Sequence, residues 1–580
     1  MKKRWVFNTP PEETKIQELS KKLNCQPVIA NLLLQRGITN AESAQDFFKP
    51  SLKMLHNPFL MKDMDKAVDR LDTAIARDEK ILIYGDYDVD GTTAVALLYK
   101  YLSHHCNRNN LDYYIPDRYT EGYGVSTKGI DYAVENGFSL MLITDCGIKA
   151  VEKIKYANSK KIDVIICDHH TPGESLPEAV AVLDPQRQDC PYPYKWLSGC
   201  GVSFKLVQAH SERHNQSMSE LYKLLDLLCV SIASDIVPIT GENRILSYYG
   251  LKELNQNPSL GLKTIIKVAG IDKEITINDI VFRIGPRINA AGRVESGRKS
   301  VELLTADEKI SADGIALDIN NFNDQRKKLD HDITEEAIKH IMQSAIEPSK
   351  KTTVLFNPGW HKGVIGIVAS RLTESFYRPT IVLTESHGLA TGSARSVEGF
   401  DLYYAISQCS EFLENYGGHK YAAGLTMKLE NIEPFKKKFE QIVRETIGEG
   451  MLTPQINIDA KLKLTDITPE LYHMLQKFAP FGPNNMIPVF VTDHVVNFIG
   501  TKRVGRNNEH LKLVVVDDTR ACNDRSGIGF SMGTLYEKVN TGEDFNICYT
   551  LQENEFMGKS DIQMMLKDIH FKEEMNTPDV

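Results

Sequence analysis

Five short apolar runs, ILIYG, LDYYIP, LMLITD, DVIICD and AVAVLDP, alternate with helical stretches between residues 80 and 235. This alternation specifies a parallel sheet with crossover helices, because neighbouring parallel strands need a long connection and a helix supplies it. In open sheets of this kind ligands gather beyond the carboxyl ends of the strands. Four polar clusters fall there: GDYDVD after ILIY, PDRYTEGYG after DYYI, TDCG after LMLI and DHHTPG after VIIC. A single cluster reads equally well as a turn, since Asp and Gly are common turn residues. Four at the ends of one sheet read as a site.

A chain of 580 residues is too long for one hydrophobic core. Residues 1–79 read as a helical leader broken at Pro10, Pro11, Pro50 and Pro58, and 80–235 form the parallel-sheet domain. Residues 236–350 are helical and end in a long charged helix, around ISADGIALDINNFNDQRKKLDHDITEEAIKHIMQSAI, that joins two lobes. Strands return at KTTVLF and TIVLT, which gives a smaller α/β domain over 351–450. Residues 451–580 are strand-rich and read as a small β-barrel.

Composition narrows the function classes. The net charge of −9 excludes a bulk electrostatic binder of the histone kind but not a local basic groove. The start, MKKRWVFNTPPEE, has no apolar segment behind its basic residues, and no run of about 18 apolar residues follows, so neither secretion nor membrane spanning is expected. Ten cysteines, among them Cys146, Cys167 and Cys522, form no CxxC pair. That argues against a disulfide framework or zinc ribbon and for a reducing cytoplasm.

Asp86, Asp88 and Asp90 stand on alternate positions of YGDYDVDGTT. Clustered carboxylates repel one another, and burying them unpaired is costly, so they make sense around a cation. Asp145 of TDCG, Asp168, His169 and His170 of CDHH, and Asp235 of IASDIVP complete a set large enough for two divalent ions. Carboxylate with imidazole suits Mn²⁺ or Mg²⁺, the histidine favouring Mn²⁺. Such a pair of ions would bind a phosphate and activate a water. Asp226 of LLDLLCV reads as an ordinary surface acid.

DYDVDG, TDCG, DHH and SDIVP, in this order, resemble the motifs of the DHH phosphoesterase superfamily. LSGCGVSFKL, FRIGPRINAAGR, WHKGVIGIVASRL, GSARS and GGHKYAAG narrow the resemblance to its RecJ family of single-strand-specific 5′→3′ DNA exonucleases. The likeness runs from about residue 5 to the terminal barrel. It implies an α/β chain: a DHH parallel-sheet domain and a smaller DHHA1-type α/β domain joined by a long helix, plus a C-terminal OB-fold barrel. By the same resemblance Asp88, Asp90, Asp145, His169 and Asp235 are metal ligands, Asp86 and Asp168 are auxiliary, and His170 touches the scissile phosphate or the leaving group.

An exonuclease must recognise an end, and a guanidinium fork beside a hydroxyl matches a terminal phosphate. Arg118, with Ser393 and Arg395 on a glycine-flanked turn, fits a 5′-phosphate pocket that the resemblance supports. Arg283, Arg287 and Arg293 lie among small residues that let a DNA backbone come close. The resemblance makes His419, beyond a turn at Gly417 and Gly418, a contact to the nucleotide being cleaved. Lys502, Arg503 and Arg506 of TKRVGRNN supply basic groups in a loop of the barrel. PFGPNNMIPVF departs from the family by placing Asn484 where glycine is common.

The expected activity is hydrolysis of single-stranded DNA to 5′-mononucleotides, in repair and recombination, by a monomer working with a helicase and a single-strand-binding protein. Two other readings compete. A phosphoesterase of short oligonucleotides or cyclic dinucleotides would need neither the barrel nor the leader. An inactive single-strand-binding module would not need the intact acidic set.

Overall fold

The computed structural model describes residues 3–343, 350–517, 524–556 and 559–572, so Cys522 lies outside the described residues. They fall into two compact units: Pro50–Glu336 with Pro480–Asn485, and Met1–Lys49, Ala337–Ala479 and Met486–Val580. The first strand, β1 (Arg4–Phe7), belongs to the second of these units. It replaces part of the helical leader that the sequence predicts.

The unit around Pro50–Glu336 is built on β2 (Ile81–Gly85), β3 (Leu111–Tyr114), β4 (Leu140–Thr144), β5 (Asp163–Cys167) and β6 (Ala181–Leu183). They form one parallel sheet in the order β3-β2-β4-β5-β6. The winding reverses between β2 and β4, which opens a crevice beyond their carboxyl ends. Alternate side chains enter opposite layers. Ile81, Ile83, Leu140, Leu142 and Ile165 pack in one core, and Leu82, Tyr84, Met141, Ile143, Val164 and Ile166 in the other. Burial on both faces is why these strands read as continuous apolar runs. Helices Val89–Leu102, Gly199–Arg213 and Leu225–Ser234 contribute to the first layer.

Residues beyond Asp235 are helical as expected, with one irregularity. A π-helical turn, Ile280–Ile284, runs into the helix Gly285–Val294 at RIGPR, and a 35-residue helix, Lys309–Gln343, follows later.

In the other unit, β7 (Thr353–Phe356), β8 (Thr380–Ser386), β9 (Leu389–Arg395), β10 (Leu413–His419) and β11 (Ala422–Lys428) form a sheet in the order β10-β11-β9-β8-β7. GSARS is therefore a strand and not a turn. Gly417 and Gly418 also lie within a strand, and Lys420 and Tyr421 make the hairpin turn. Trp360 of WHKGVIGIVASRL is buried, whereas His361 is half-buried and accepts the Gly363 N–H at 3.2 Å.

The terminal strands are β12 (Gln455–Ile458), β13 (Ala460–Lys461), β14 (Phe490–Asn497), β15 (Lys502–Val504), β16 (His510–Asp517), β17 (Arg525–Gly529), β18 (Phe545–Phe556) and β19 (Lys559–Phe571). Strand β12 pairs in parallel with β1. The order β14-β18-β19-β17-β16 is closed by pairing of β14 with β16, so five strands make a barrel without free edges. Strand β19 escapes a sequence reading because KSDIQMMLKDIHF mixes helix formers with its alternation. Lys502–Val504 is a strand and not a loop, Arg506 lies in the turn that follows, and Arg503 is taken up by the Gly533 carbonyl at 3.0 Å and Glu537 at 3.1 Å.

Candidate metal centre

The crevice between β2 and β4 holds the acidic set. Asp86 follows β2 directly, is 1 % exposed, and neither of its oxygens makes a well-formed hydrogen bond. The chain then turns into the helix Val89–Leu102, capped by the Asp88 side chain, which accepts the Gly91 N–H at 3.0 Å. Gly91 is required there, since a Cβ would lie 2.4 Å from the Asp86 carbonyl oxygen.

Asp90, the second residue of that helix, is gripped from far along the chain. Its Oδ2 accepts the Gly199 N–H at 2.6 Å, and its Oδ1 accepts the Cys200 N–H at 2.8 Å and the Ser231 hydroxyl at 2.7 Å. Gly199 and Cys200 open the helix Gly199–Arg213, whose unpaired N–H groups and positive dipole end favour a carboxylate. LSGCG thus serves the site as an anion clamp on Asp90.

Asp145 ends β4 in the left-handed region, with φ of +59°, a conformation that Asp tolerates better than most residues. His169 Nε2 lies 3.2 Å from Asp145, 3.6 Å from Asp235 and 3.7 Å from Asp90, and makes no well-formed hydrogen bond. Two donor groups therefore share His169: Asp145 with His169 and His170, and Asp90 with His169 and Asp235, the ligand atoms of each lying within 4.8 Å of one another. Burial, then repulsion from Asp88, pushes the Asp86 carboxyl well above its usual range. Burial, then the neighbouring aspartates Asp90 and Asp88, does the same to Asp145 and Asp235. Burial also lowers the His169 imidazole. Carboxylates converging on an imidazole kept neutral, with Asp86 buried behind them without a well-formed hydrogen bond, fit divalent cations.

Asp168 has a different geometry. Its Oδ1 accepts the His169 N–H at 2.7 Å and His170 Nδ1 at 2.7 Å, while Oδ2 accepts the Ile148 N–H at 2.8 Å. Burial alone would raise this carboxyl, but the His170 hydrogen bond and the imidazole charges outweigh it and hold it down to about 2. Burial would lower His170, yet Asp168 pushes it up to about 9. Asp168 therefore fixes the ring of His170, whose Nε2 faces the Tyr123 hydroxyl at 3.1 Å.

The structure brings Asp86, Asp88, Asp90, Asp145, Asp168, His169, His170 and Asp235 to one crevice, with Arg118 beside them. The Arg118 guanidinium lies 4.3 Å over the Tyr87 ring and is among the charges acting on Asp86. Arg287 donates to Asn320 at 3.0 Å and to the Arg283 carbonyl at 2.7 Å, and the Arg293 carbonyl accepts the Tyr119 hydroxyl. The glycines of this segment serve packing: a Cβ at Gly292 would lie 2.7 Å from the Tyr87 carbonyl, and one at Gly285 2.7 Å from the Ser234 hydroxyl. They seat the helix against the residues flanking Asp86 and Asp235.

Ser393, Arg395 and His419 belong to the other unit. Ser393 and Arg395 share one face of β9 at alternate positions. Both face Gly366 of the helix Ile365–Phe376, where a Cβ would meet Arg395 Nη2 at 3.1 Å and Ser393 Oγ at 3.3 Å. Burial lowers the Arg395 guanidinium from its usual value. His419 is the last residue of β10.

Asp226 is not a surface acid. It is fully buried and accepts the Leu227 N–H at 2.6 Å and the Ser259 N–H at 2.8 Å, so it joins two helices. Cys146 and Cys167 are buried, and among the described residues no metal-capable group contains a cysteine. Sequence reasoning missed Tyr123, Tyr87, Ser231 and Asp184. Asp184 ends β6, accepts the Gln186 N–H at 2.7 Å, and is pushed up to about 7 by burial. The Gln186 side chain in turn donates to the His169 carbonyl. The Asp-Pro pair after AVAVL was the available signal, as a fifth polar strand end.

Family models match three segments: the DHH family N-terminal domain over residues 80–232, the DHHA1 domain over 349–445 and the RecJ OB domain over 458–568. The single-stranded-DNA-specific exonuclease RecJ of Bacillus subtilis is 36% identical over 98% of this chain and 71% of its own length. That of Escherichia coli is 30% identical over 94% of this chain and 96% of its own. Among solved structures, RecJ from Thermus thermophilus in complex with Mn²⁺ superposes with a TM-score of 0.83 at 25% identity, over 98% of this chain and 79% of that one. With the parallel-sheet domain, the second α/β domain and the closed barrel all in place, the chain belongs to the RecJ family of the DHH superfamily.

Proposed function

We propose that the chain is a metal-dependent exonuclease that degrades single-stranded DNA in the 5′→3′ direction to 5′-mononucleotides. The observation that carries this reading is the crevice itself: Asp90, Asp145 and Asp235 converge on His169 Nε2, and neither that nitrogen nor either oxygen of buried Asp86 makes a well-formed hydrogen bond. Asp88, Asp90, Asp145, His169 and Asp235 would hold two divalent cations, Mn²⁺ or Mg²⁺. When bound, such ions polarise a phosphodiester and lower the pKa of a water.

The protein's own groups orient and bind. The amides of Gly199 and Cys200 fix Asp90, and Asp86 supports the cluster from β2. Asp168 holds His170 with Nε2 turned outward, where it can donate to a phosphoryl or leaving oxygen. Within its own unit Arg118 offers a guanidinium to phosphate, and in the other unit Ser393 and Arg395 pair a hydroxyl with a guanidinium for the same kind of group; Arg287, Arg293 and His419 are further contacts to the strand. The barrel holds single-stranded backbone through exposed basic groups such as Lys502 and Arg506. The barrel and the segment before the sheet count against a small-substrate phosphoesterase.

Among the described residues no helix is long and apolar enough to cross a membrane. The working form is a cytoplasmic monomer acting in repair and recombination, on strands opened by a helicase and covered by a single-strand-binding protein.

The test is incubation with Mn²⁺ and a long single strand labelled differently at its two ends, beside the matching blunt duplex and a cyclic dinucleotide. Immediate release of the 5′ label as mononucleotide, with the duplex spared, is expected, and Asp145→Ala should abolish it while the fold persists. Turnover of the dinucleotide alone, or binding without hydrolysis, would overturn the reading.

A further inference from the structure

Away from the crevice, the helices Met64–Ala76 and Gly199–Arg213 face each other with an uneven distribution of charge. Asp65, Asp69 and Asp72 stand at helical spacing on the first. Arg213 reaches Asp65 at 2.9 Å and also bonds Asp69, but stays 4.0 Å from Asp72. One guanidinium thus pairs closely with two of the three carboxylates. Asp72 is left to two imidazoles: its Oδ1 lies 3.2 Å from His210 Nε2 and 2.8 Å from His214 Nε2.

His210 and His214 are separated by one helical turn, the spacing that puts two imidazoles on one face for a metal. The three ligand atoms lie within 4.8 Å of one another. Metal bonds of about 2.0–2.1 Å at tetrahedral angles place neighbouring donors roughly 3.3 Å apart, and the two imidazoles lie 3.2 and 2.8 Å from Asp72, the second close enough for a direct hydrogen bond. His210 is also oriented from behind. The Tyr101 hydroxyl lies 2.7 Å from His210 Nδ1 and 2.8 Å from Ser211 Oγ, so the ring is held from its far side and Nε2 is aimed at Asp72. A hydrogen bond to the far nitrogen fixes the orientation of a metal-binding imidazole, and Tyr101 stands in that position here. Burial keeps that ring neutral, lowering His210 to about 4. Asp72 and His214 are 29% and 44% exposed, which leaves a side open for water.

We propose that Asp72, His210 and His214 form a further metal site, for one divalent ion of the imidazole-preferring class such as Zn²⁺ or Co²⁺. It is separate from the crevice and structural in effect. His210 lies eleven residues beyond Gly199, about 16 Å along the helix axis. The ion would fasten to a neighbouring helix the far end of the element whose first amides hold Asp90.

Co²⁺ reports on such a site through its visible d–d bands. The full chain is saturated with Mg²⁺, which suits the oxygen-rich crevice better than imidazole pairs, and then titrated with Co²⁺. Wild type is expected to take up one equivalent with intense bands of low coordination number. His214→Ala and Asp72→Asn should both lose that equivalent, and His214→Ala should keep its melting temperature in chelator and its Mn²⁺-dependent hydrolysis. His169→Ala should retain the bands. Bands that persist in His214→Ala and Asp72→Asn, or that vanish in His169→Ala, would place the cobalt in the crevice and overturn the proposal. Absence of bands in wild type would reduce the cluster to hydrogen bonds and overturn it as well.

Discussion

Gly199→Ala tests how tightly the clamp on Asp90 and the placement of Asp145 depend on one missing methyl group. A Cβ at residue 199 would lie 2.6 Å from Asp145 Cβ and 2.8 Å from Asp145 Cα and Oδ1. Carbon atoms settle at about 3.5–4.0 Å, so Asp145 or the helix start must retreat by roughly 1 Å. The same residue gives its N–H to Asp90 at 2.6 Å, so both carboxylates move relative to each other. A displacement of about 1 Å in a catalytic constellation reduces turnover roughly 10²-fold, or about 2.7 kcal/mol in the barrier. Overpacking should cost a further ~1–3 kcal/mol of stability, offset by up to ~1 kcal/mol from the better helix propensity of Ala. The assay is initial rate on a 5′-labelled single strand with saturating Mn²⁺, beside urea unfolding of each protein. Gly201→Ala is the control, since its Cβ would meet only Leu197 and Ser198, at 3.3 Å and beyond. Turnover of Gly199→Ala within about threefold of wild type, a barrier change below ~1 kcal/mol, would refute the reasoning.

Asp168→Asn should lower kcat by roughly 10²-fold with little change in KM, because His170 loses the negative charge that keeps it protonated and the amide NH2 cannot accept the Ile148 N–H; an unchanged kcat would remove His170 from the reaction. Chelation of divalent ions should abolish hydrolysis, and adding Mn²⁺ at about 100 times its dissociation constant should stabilise the fold by about 2.7 kcal/mol, read as a rise in melting temperature. The same addition should leave Asp145→Ala nearly unmoved. Asn484→Gly should be close to neutral, since Asn484 sits at φ of +60°, whereas Asn484→Val should cost about 1–2 kcal/mol, measured by urea unfolding.

Asn484 shows what a departure from a family pattern can mean physically. The backbone needs a left-handed residue there, and Asn is the non-glycine type that adopts that conformation most readily. The loop is held by Ile239 N–H donating to the Pro483 carbonyl at 2.8 Å, with a Cβ at Gly482 excluded by Ile239 Cγ1 at 2.4 Å. The substitution for glycine therefore preserves the turn.

The parallel sheet, its acidic strand ends and the ligand candidates were legible in the order of amino acids alone. Those features are local: an apolar run buried on both faces, a polar cluster where it stops, and a helix to bring the chain back. Other features depend on residues distant in sequence and emerged only with the folded chain. The amides of Gly199 and Cys200 meet Asp90 from more than a hundred positions away, and Tyr123 meets His170 across two crossovers. Asp226 turned from surface acid to buried tie because Ser259 donates to it from another helix. The barrel closed through the pairing of β14 with β16, a register that no local propensity encodes. Side-chain type and spacing reveal which groups a strand end can offer. Which of those groups are paired, and which are left charged and waiting for a cation, is fixed by donors arriving from elsewhere in the fold.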